Sequence, residues 1–242
     1  MRILEGLAQR NRDARSCAPQ IICCLGDSVT HGCFDVFLNE SGNIDTVYAP
    51  WDGYAALLER RLRTIFPAAA ANVVNAGVSG DSATGALNRL ERDVLRLKPD
   101  LVTVNLALND AMNPDVEAGL KAYAAAMGEI MDRVIASGAE CMLVTPNFMC
   151  SYVSHALAEE GLRGVARAAS RVQNEGILAR YVEAARQEAA KRAVPVADAY
   201  ARWEALSRAG ANTTQMLSNH INHPTREAHG IFVEAILEQL LK

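Results

Sequence analysis

The 242-residue chain has few aromatic residues, no excess of charge of one sign and no long apolar run. Aromatic side chains make up 5% of it and the formal charge is −4, with acidic and basic residues interspersed. A basic face for nucleic acid or anionic lipid is therefore missing. No apolar stretch approaches the roughly 18 residues that span a bilayer. The sequence predicts a soluble protein whose partners are neither nucleic acids nor membranes.

Signatures of disulfide frames, zinc sites and secretory leaders are also missing. The six cysteines show no paired CxxC spacing, and three of them lie in or beside strand-like apolar runs. This distribution is typical of small reduced core residues. The first ten residues carry charge throughout and lack the continuous apolar segment of a secretory signal. We therefore expect a cytoplasmic protein without a metal site.

Short apolar runs alternate with longer amphipathic stretches, which predicts βαβ units and a parallel sheet covered on both faces. With 50% apolar residues, a chain of this length can bury one sizeable core. We expect a three-layer α/β/α sandwich with five parallel strands, forming a single domain over residues 1–242. The expected strands are 21–25, 72–75, 101–106, 141–145 and 194–197, and the helical patterns cover 53–66, 87–97, 116–137, 177–193 and 227–241.

Two connections are longer than turns. Residues 31–52 follow the first expected strand, and residues 146–174 follow the fourth. In open parallel sheets, ligands bind beyond the carboxyl ends of the strands. Both segments are therefore expected to border a substrate and shape specificity. The alternative is that they are surface loops packed on their own aromatic side chains.

The tripeptide Gly-Asp-Ser occurs twice, at residues 26–28 and at residues 80–82. The first copy directly follows the apolar run 21–25. Small, turn-prone neighbours at the end of a buried strand expose a hydroxyl while the sheet holds it still, so Ser28 is a candidate nucleophile. The second copy lies in a glycine-rich turn after the second strand. There the backbone at Gly80 can approach a ligand closely and direct an N–H group at a developing oxyanion.

Two further polar residues are candidates for a site. Asn109 follows the third strand, where its side-chain amide can supply another hydrogen-bond donor. His223 precedes Pro224, which stops helix formation and fixes the histidine in a loop before the last helix. A serine, a histidine and several N–H donors are the groups that covalent acyl transfer requires.

In this order and spacing, the four blocks resemble the SGNH subgroup of the GDSL esterase/lipase family. That family has Ser in a GDS block, Gly in a second block, Asn in a GxND block and His in a DxxHP block. The matching positions are Ser28, Gly80, Asn109 and His223. The resemblance implies a flavodoxin-like sandwich and a serine esterase that needs no cofactor. It implies that Ser28 is the nucleophile, that His223 is the base, and that Ser28, Gly80 and Asn109 form the oxyanion hole. Ser82 then falls in the second block, where we expect a polar N-terminal helix residue.

Two positions depart from this pattern. Ala107 replaces the glycine of the GxND block, and His220 stands where the family has an aspartate three residues before His223. In a serine triad the acid holds the imidazole in the right tautomer and stabilises its charged form. We expect a Ser-His dyad or an atypical triad in which a backbone carbonyl, or less favourably His220, orients His223. Asp198 is a weaker candidate for the acid. On this reading His220→Ala retains most activity, and His220→Asp rebuilds the family triad and raises kcat.

These residues predict an esterase that cleaves small or carbohydrate-linked acyl esters, acetyl esters among them, through an acyl-enzyme. Its expected partner is a small-molecule ester, with acylated carbohydrates as candidates. Two other functions stay open. One is a non-catalytic carbohydrate-binding scaffold, which loss of the acid would permit. The other is a metal-dependent phosphoesterase, with His220, His223, Asp27 and Asn109 as ligands.

Overall fold

The computed structural model describes residues 1–242, and a five-stranded parallel sheet lies at its centre. The strands of the chain are β1 (Ile21–Gly26), β2 (Cys33–Leu38), β3 (Ile44–Tyr48), β4 (Asn72–Gly77), β5 (Leu101–Asn105), β6 (Glu140–Val144) and β7 (Val196–Ala197). The central sheet has the order β4-β1-β5-β6-β7. Counted within the sheet this is 2-1-3-4-5, the flavodoxin-like order. The expected fold class is confirmed.

The central strand β1 pairs with β4 on one side and with β5 on the other. Its residues Ile22, Cys23, Cys24 and Leu25 are fully buried. Strands covered by helices on both faces have continuous apolar runs instead of alternating ones. This is why residues 21–25 could be recognised as a strand from the sequence.

Helices cover both faces of the sheet. They are α1 (Arg2–Arg12), α2 (Ser28–His31), α3 (Tyr54–Ile65), α4 (Ala83–Asp93), α5 (Val116–Ala136), α6 (Glu160–Asn174), α7 (Ile177–Lys191), α8 (Ala199–Arg208) and α9 (His229–Leu240). On one face α3 packs against α9, and on the other α5 packs against α4 and α7. The buried apolar side chains form a continuous cluster of 63 residues. None of the helices has the length and apolar character needed to cross a membrane.

The two long connections contain regular structure that the alternation of apolar runs does not predict. Strands β2 and β3 form an antiparallel hairpin within residues 31–52, and α6 lies at the end of residues 146–174. Helix α6 buries two alanines beside Leu162 and Val172, and glycines at 161 and 164 lower its helix propensity. Its buried residues nevertheless recur at helical spacing, so the sequence carries a signal for α6 that the alternation of apolar runs does not capture. Helices α1 and α8 are also additions to the expected elements.

Candidate active site

Ser28 lies at the junction of β1 and α2. Asp27 is the N-cap of α2, and its carboxylate accepts a hydrogen bond from the Val29 N–H at 3.0 Å. A Cβ on Gly26 would lie 2.6 Å from the carbonyl oxygen of Asn105, so only glycine lets the two strand ends approach this closely. Ser28 is 4% exposed. Its hydroxyl is therefore held on a rigid strand end.

A cleft of about 210 Å³ opens above Ser28. It lies at the point in the sheet where the strand order reverses, which is where ligands bind in doubly wound folds. Strand-end residues Ser28, Gly80 and Asn109 line it together with His223. Both long connections border the cleft, as the sequence predicts. They contribute Val36, Ile44, Asp45, Thr46 and Tyr48 from the hairpin, and Leu162 and Val165 from α6.

His223 bridges the serine hydroxyl and a main-chain carbonyl. Its Nε2 lies 2.9 Å from Oγ of Ser28, and its Nδ1 lies 2.8 Å from the carbonyl oxygen of Phe34. Because a carbonyl only accepts, Nδ1 carries the hydrogen and Nε2 is left to accept from the Ser28 hydroxyl. The partner of Nδ1 is thus a backbone carbonyl, as the sequence suggests for a chain without the family aspartate.

Burial controls the charge of this histidine. Desolvation lowers the pKa of His223 to about 4, against the smaller opposing effects of the Phe34 carbonyl and the Asp35 charge. The side chain is therefore neutral at pH 7 and can take up a proton. A neutral imidazole bonded to a hydroxyl is the arrangement that activates a serine nucleophile.

Asn219 shapes the loop that carries His223. Its Oδ1 accepts the backbone N–H groups of Ile221, Asn222 and His223 at 2.9–3.0 Å. Its Nδ2 donates to Oδ1 of Asn222 at 3.0 Å. The intervening His220 has φ +54°, in the left-handed region that non-glycine residues seldom adopt. One buried amide thus satisfies three successive donors and fixes the position of the imidazole.

The structure places neither His220 nor Asp198 on Nδ1 of His223. His220 lines a neighbouring depression with Asp35 and Ser218, and its buried Nδ1 has no hydrogen-bond partner. Asp198 caps α8, and its carboxylate accepts from Thr145 at 2.9 Å and from Arg186 at 2.9 and 3.1 Å. Asp198 is therefore engaged by other groups, and His220 does not bond to His223.

Three sources of hydrogen-bond donors border the cleft. The Ser28 N–H is in the first turn of α2, where N–H groups have no intrahelical acceptor. Gly80 has φ +79°, and its N–H donates to no protein atom. The Asn109 Nδ2 donates one hydrogen to the carbonyl of Asp81 at 2.8 Å, which leaves its second hydrogen free. A Cβ on Gly80 would meet no protein atom within 4 Å, so the strain of an alanine there comes from the backbone angle.

Two aspartates adjoin the site residues in the sequence: Asp27 precedes Ser28, and Asp110 follows Asn109. Burial raises the pKa of Asp27 to about 7, with the nearby Asp110 and Asp81 charges adding to the effect. Burial also raises the pKa of Asp110 to about 6. No group of three or more His, Cys, Asp or Glu side chains is arranged to hold a metal ion, so the ligand set of the phosphoesterase alternative is not assembled.

The serine of the second Gly-Asp-Ser copy, Ser82, has a structural role. Ser82 is the N-cap of α4, and its hydroxyl accepts from the Gly85 N–H at 3.2 Å. The nearby Arg89 is only 8% exposed and ties the two blocks together, since it donates to the Gly26 carbonyl at 3.0 Å and to Asp81 at 2.6 Å. An arginine in an amphipathic helix gives no sign of this role in the sequence.

The sequence analysis did not identify two other groups that position His223, the Phe34 carbonyl and the Asn219 side chain. The carbonyl of Phe34 is a main-chain group, which no side-chain pattern identifies. Asn219 could have been found, because asparagine favours turns in which its side chain accepts from the following backbone N–H groups. The run from Asn219 to Pro224 has this composition.

The sequence is similar to those of known esterases and acylhydrolases. A sequence model described as the GDSL-like lipase/acylhydrolase family matches residues 24–231. The chain is 36% identical over 58 residues to an acetylxylan esterase of Geobacillus stearothermophilus, covering 24% of this chain and 26% of that protein. It is 30% identical over 140 residues to the esterase TesA of Pseudomonas aeruginosa, covering 56% of this chain and 61% of that protein.

Solved structures share the fold. An α/β hydrolase from the metagenome of Lake Arreo, Spain, superposes with a TM-score of 0.68 at 22% identity, over 92% of this chain and 95% of the other. A catalytic mutant of the Geobacillus stearothermophilus acetylxylan esterase gives 0.67 at 18% identity, over 91% and 94% of the two chains. A lipase/acylhydrolase from Enterococcus faecalis gives 0.65 at 21% identity, over 91% and 95%. With a family match that extends over most of its length, the chain belongs to the GDSL-like lipase/acylhydrolase family.

Proposed function

We propose that the protein is a serine esterase that removes small acyl groups, acetyl groups on carbohydrates in particular, through an acyl-enzyme. The observation that carries this proposal is the 2.9 Å contact between Nε2 of His223 and Oγ of Ser28 at the bottom of an open cleft. A buried neutral imidazole bonded to a hydroxyl has one ready chemical use, which is to activate that hydroxyl as a nucleophile.

The reaction follows from the protonation state of the two groups. His223 Nε2 takes the Ser28 hydroxyl proton as Oγ attacks the ester carbonyl carbon. The imidazolium then gives this proton to the leaving alcohol, and the acyl group stays on Ser28. A water molecule repeats the sequence and releases the acid. Throughout the cycle the Phe34 carbonyl accepts from Nδ1 and keeps the ring oriented.

The oxyanion of each tetrahedral intermediate is stabilised by the Ser28 and Gly80 N–H groups and by Nδ2 of Asn109. The free hydrogens of Gly80 and Asn109, both at the cleft, support this assignment. Donors that are fixed in place before the reaction stabilise developing charge without reorganisation.

The cleft favours small, uncharged esters. At about 210 Å³ it is below the usual size of pockets for drug-sized ligands, so it suits a short acyl group. Asp45 is the one charged group among its lining side chains, and no lysine or arginine lines it to bind an anionic alcohol. The similarity to acetylxylan esterases adds acetylated sugars to the candidate substrates.

A substrate panel tests the proposal. Acetate release from acetylated xylooligosaccharides and hydrolysis of p-nitrophenyl acetate should exceed hydrolysis of p-nitrophenyl octanoate and of acetyl-coenzyme A in kcat/KM. Ser28→Ala is the matched blank for each substrate. Preferential turnover of the octanoate or of the anionic thioester would contradict the assigned substrate class. No turnover of any ester would overturn the esterase assignment.

A further inference from the structure

Because His220 stands where the family has an aspartate, other groups must fulfil the two roles of that aspartate. A triad acid orients the imidazole, and it stabilises the positive charge that the imidazole gains. A carbonyl performs the first task through its lone pairs, but it carries only a dipole for the second. We propose that the two tasks are divided between neighbouring residues of β2, with the Phe34 carbonyl orienting His223 and the Asp35 carboxylate stabilising its imidazolium. This proposal rests on the proposed function, in which His223 is the base.

Asp35 is bound to the same loop that carries His223. Oγ of Ser218 donates to Oδ1 of Asp35 at 2.5 Å, and the Ser218 N–H donates to the carbonyl of His223 at 2.7 Å. The Thr46 hydroxyl donates to the Asp35 carbonyl at 3.0 Å and so fixes β2 from the other strand of the hairpin. These contacts hold the carboxylate of Asp35 beside the loop of His223.

The charge of Asp35 is not neutralised by a cation. Its hydrogen-bond donor is a neutral hydroxyl, and no lysine, arginine or histidine forms an ion pair with it. Its negative charge raises the pKa of His223, although desolvation dominates and leaves that pKa low. Asp35 is the carboxylate that acts in this direction.

The other charged and titratable groups around His223 do not replace this charge. From α9 comes His229, which burial keeps neutral with a pKa of about 3. The guanidinium of Arg226 lies 4.6 Å from the centre of the Phe34 ring, but Asp52 pairs with it at 2.8 Å. Next to Ser28, Asp27 has a pKa raised to about 7 by burial. Asp35 is an exposed carboxylate that is bonded to the loop of His223 through Ser218, whereas Asp45 lines the cleft without such a contact.

Substitutions can separate charge from hydrogen bonding. Asp35→Asn keeps an oxygen that accepts from Ser218 but removes the charge, whereas Ser218→Ala removes the hydrogen bond and keeps the charge. Glu40→Gln removes a charge from the same hairpin at an exposed position without a hydrogen bond, and it controls for net charge. Asp35→Glu restores the charge.

The pKa of the His223 ring distinguishes the two possibilities, because a purely structural role of Asp35 would leave it unchanged. It is measured by a pH titration that is monitored by NMR of isotope-labelled histidine. Asp35→Asn should lower the pKa of His223 by about 0.5 to 1, as expected for a charge at a partly screened distance. Ser218→Ala and Glu40→Gln should leave that pKa close to the wild-type value. The difference between Asp35→Asn and wild type should shrink at high ionic strength.

Turnover of p-nitrophenyl acetate gives the second readout. Asp35→Asn should lower kcat about three- to tenfold, with Asp35→Glu recovering most of it. An unchanged His223 pKa in Asp35→Asn would overturn the proposal. Equal losses in Asp35→Asn and Ser218→Ala with that pKa unmoved would show that Asp35 only clamps the loop. Full activity of His223→Ala would refute the proposed function. The titration would still report the effect of Asp35 on the pKa of His223, so the two failures can be distinguished.

Discussion

Two parts of the site are built in different ways: the nucleophile half, which carries the proposed nucleophile Ser28 with Gly80 and Asn109, and the base half, which carries the proposed base His223. Ser28, Gly80 and Asn109 each follow the end of a sheet strand, namely β1, β4 and β5, within a few residues of regular hydrogen bonding. His223 lies in an irregular loop, and its acceptor comes from a hairpin 189 residues earlier in the chain. The first half is therefore specified by short local blocks, and the second by contacts between distant segments.

The two halves also differ in how their residues are held in place. Strand ends in a buried sheet cannot move independently, so the residues on them keep their relative positions. Orienting the proposed base requires an acceptor at Nδ1 of the right geometry, and the Phe34 carbonyl of the hairpin meets that requirement. The orienting task of the family aspartate is thus met by a main-chain group that does not belong to the nucleophile half.

The largest effect is expected at Ser28. Ser28→Ala should lower kcat by about 10⁵ to 10⁶ and abolish labelling by a fluorophosphonate probe, since removal of a serine nucleophile costs that much in a related hydrolytic site. Ser82→Ala is the matched control, because it alters the other Gly-Asp-Ser copy. It should remain labelled and active. Labelling of Ser82 in the Ser28→Ala variant would transfer the nucleophile to the second block.

The next largest effect is expected at Asn109, the proposed oxyanion donor that follows β5. If Asn109 donates to the transition state, Asn109→Ala should lower kcat by about 10² to 10³ with little change in KM. Asn113→Ala, four residues further along, is an amide control outside the Ser28 cleft and should stay near wild type. A raised KM at constant kcat would assign Asn109 to substrate binding instead.

The pH dependence of kcat/KM tests the burial of His223 in the base half. Because burial lowers the pKa of His223 to about 4, the base is neutral at pH 5 to 6, where an ordinary histidine is largely protonated. The kcat/KM should be level above pH 5 and fall about tenfold for each pH unit below 4. An acid limb near pH 6.5 would mean that the base is solvated.

The smallest effect is expected at His220. His220→Ala should change kcat by less than about threefold, because the Nδ1 of His220 has no hydrogen-bond partner and the Phe34 carbonyl, not His220, bonds to His223. The sequence alone suggests that His220→Asp rebuilds a triad, but the Nδ1 of His223 already bonds to the Phe34 carbonyl. We therefore expect no gain in kcat from His220→Asp. A clear gain would show that the carboxylate displaces the carbonyl and that the dyad is the weaker arrangement.

Much of the fold could be predicted from the sequence, because the five strands are apolar runs separated by turn residues. The hairpin could not, since β2 and β3 expose about half of their side chains. Helix α6 could have been predicted, because its buried residues recur at helical spacing. Ser28, Gly80 and Asn109 were recognisable because each sits in a strand-end block. The Phe34 carbonyl and the three bonds of Asn219 depend on tertiary contacts, and a one-dimensional pattern carries no record of them.

The central claim is that His223 is a neutral base whose Nδ1 hydrogen is held by the Phe34 carbonyl. Nitrogen-15 NMR of the five histidines at pH 7, assigned by comparison with His223→Gln, reports which ring nitrogen carries the hydrogen. We predict that Nδ1 of His223 carries the hydrogen at pH 7, that Nε2 carries none, and that Nε2 takes up a proton only as the pH falls towards 4. A hydrogen on Nε2, or an imidazolium at pH 7, would contradict it.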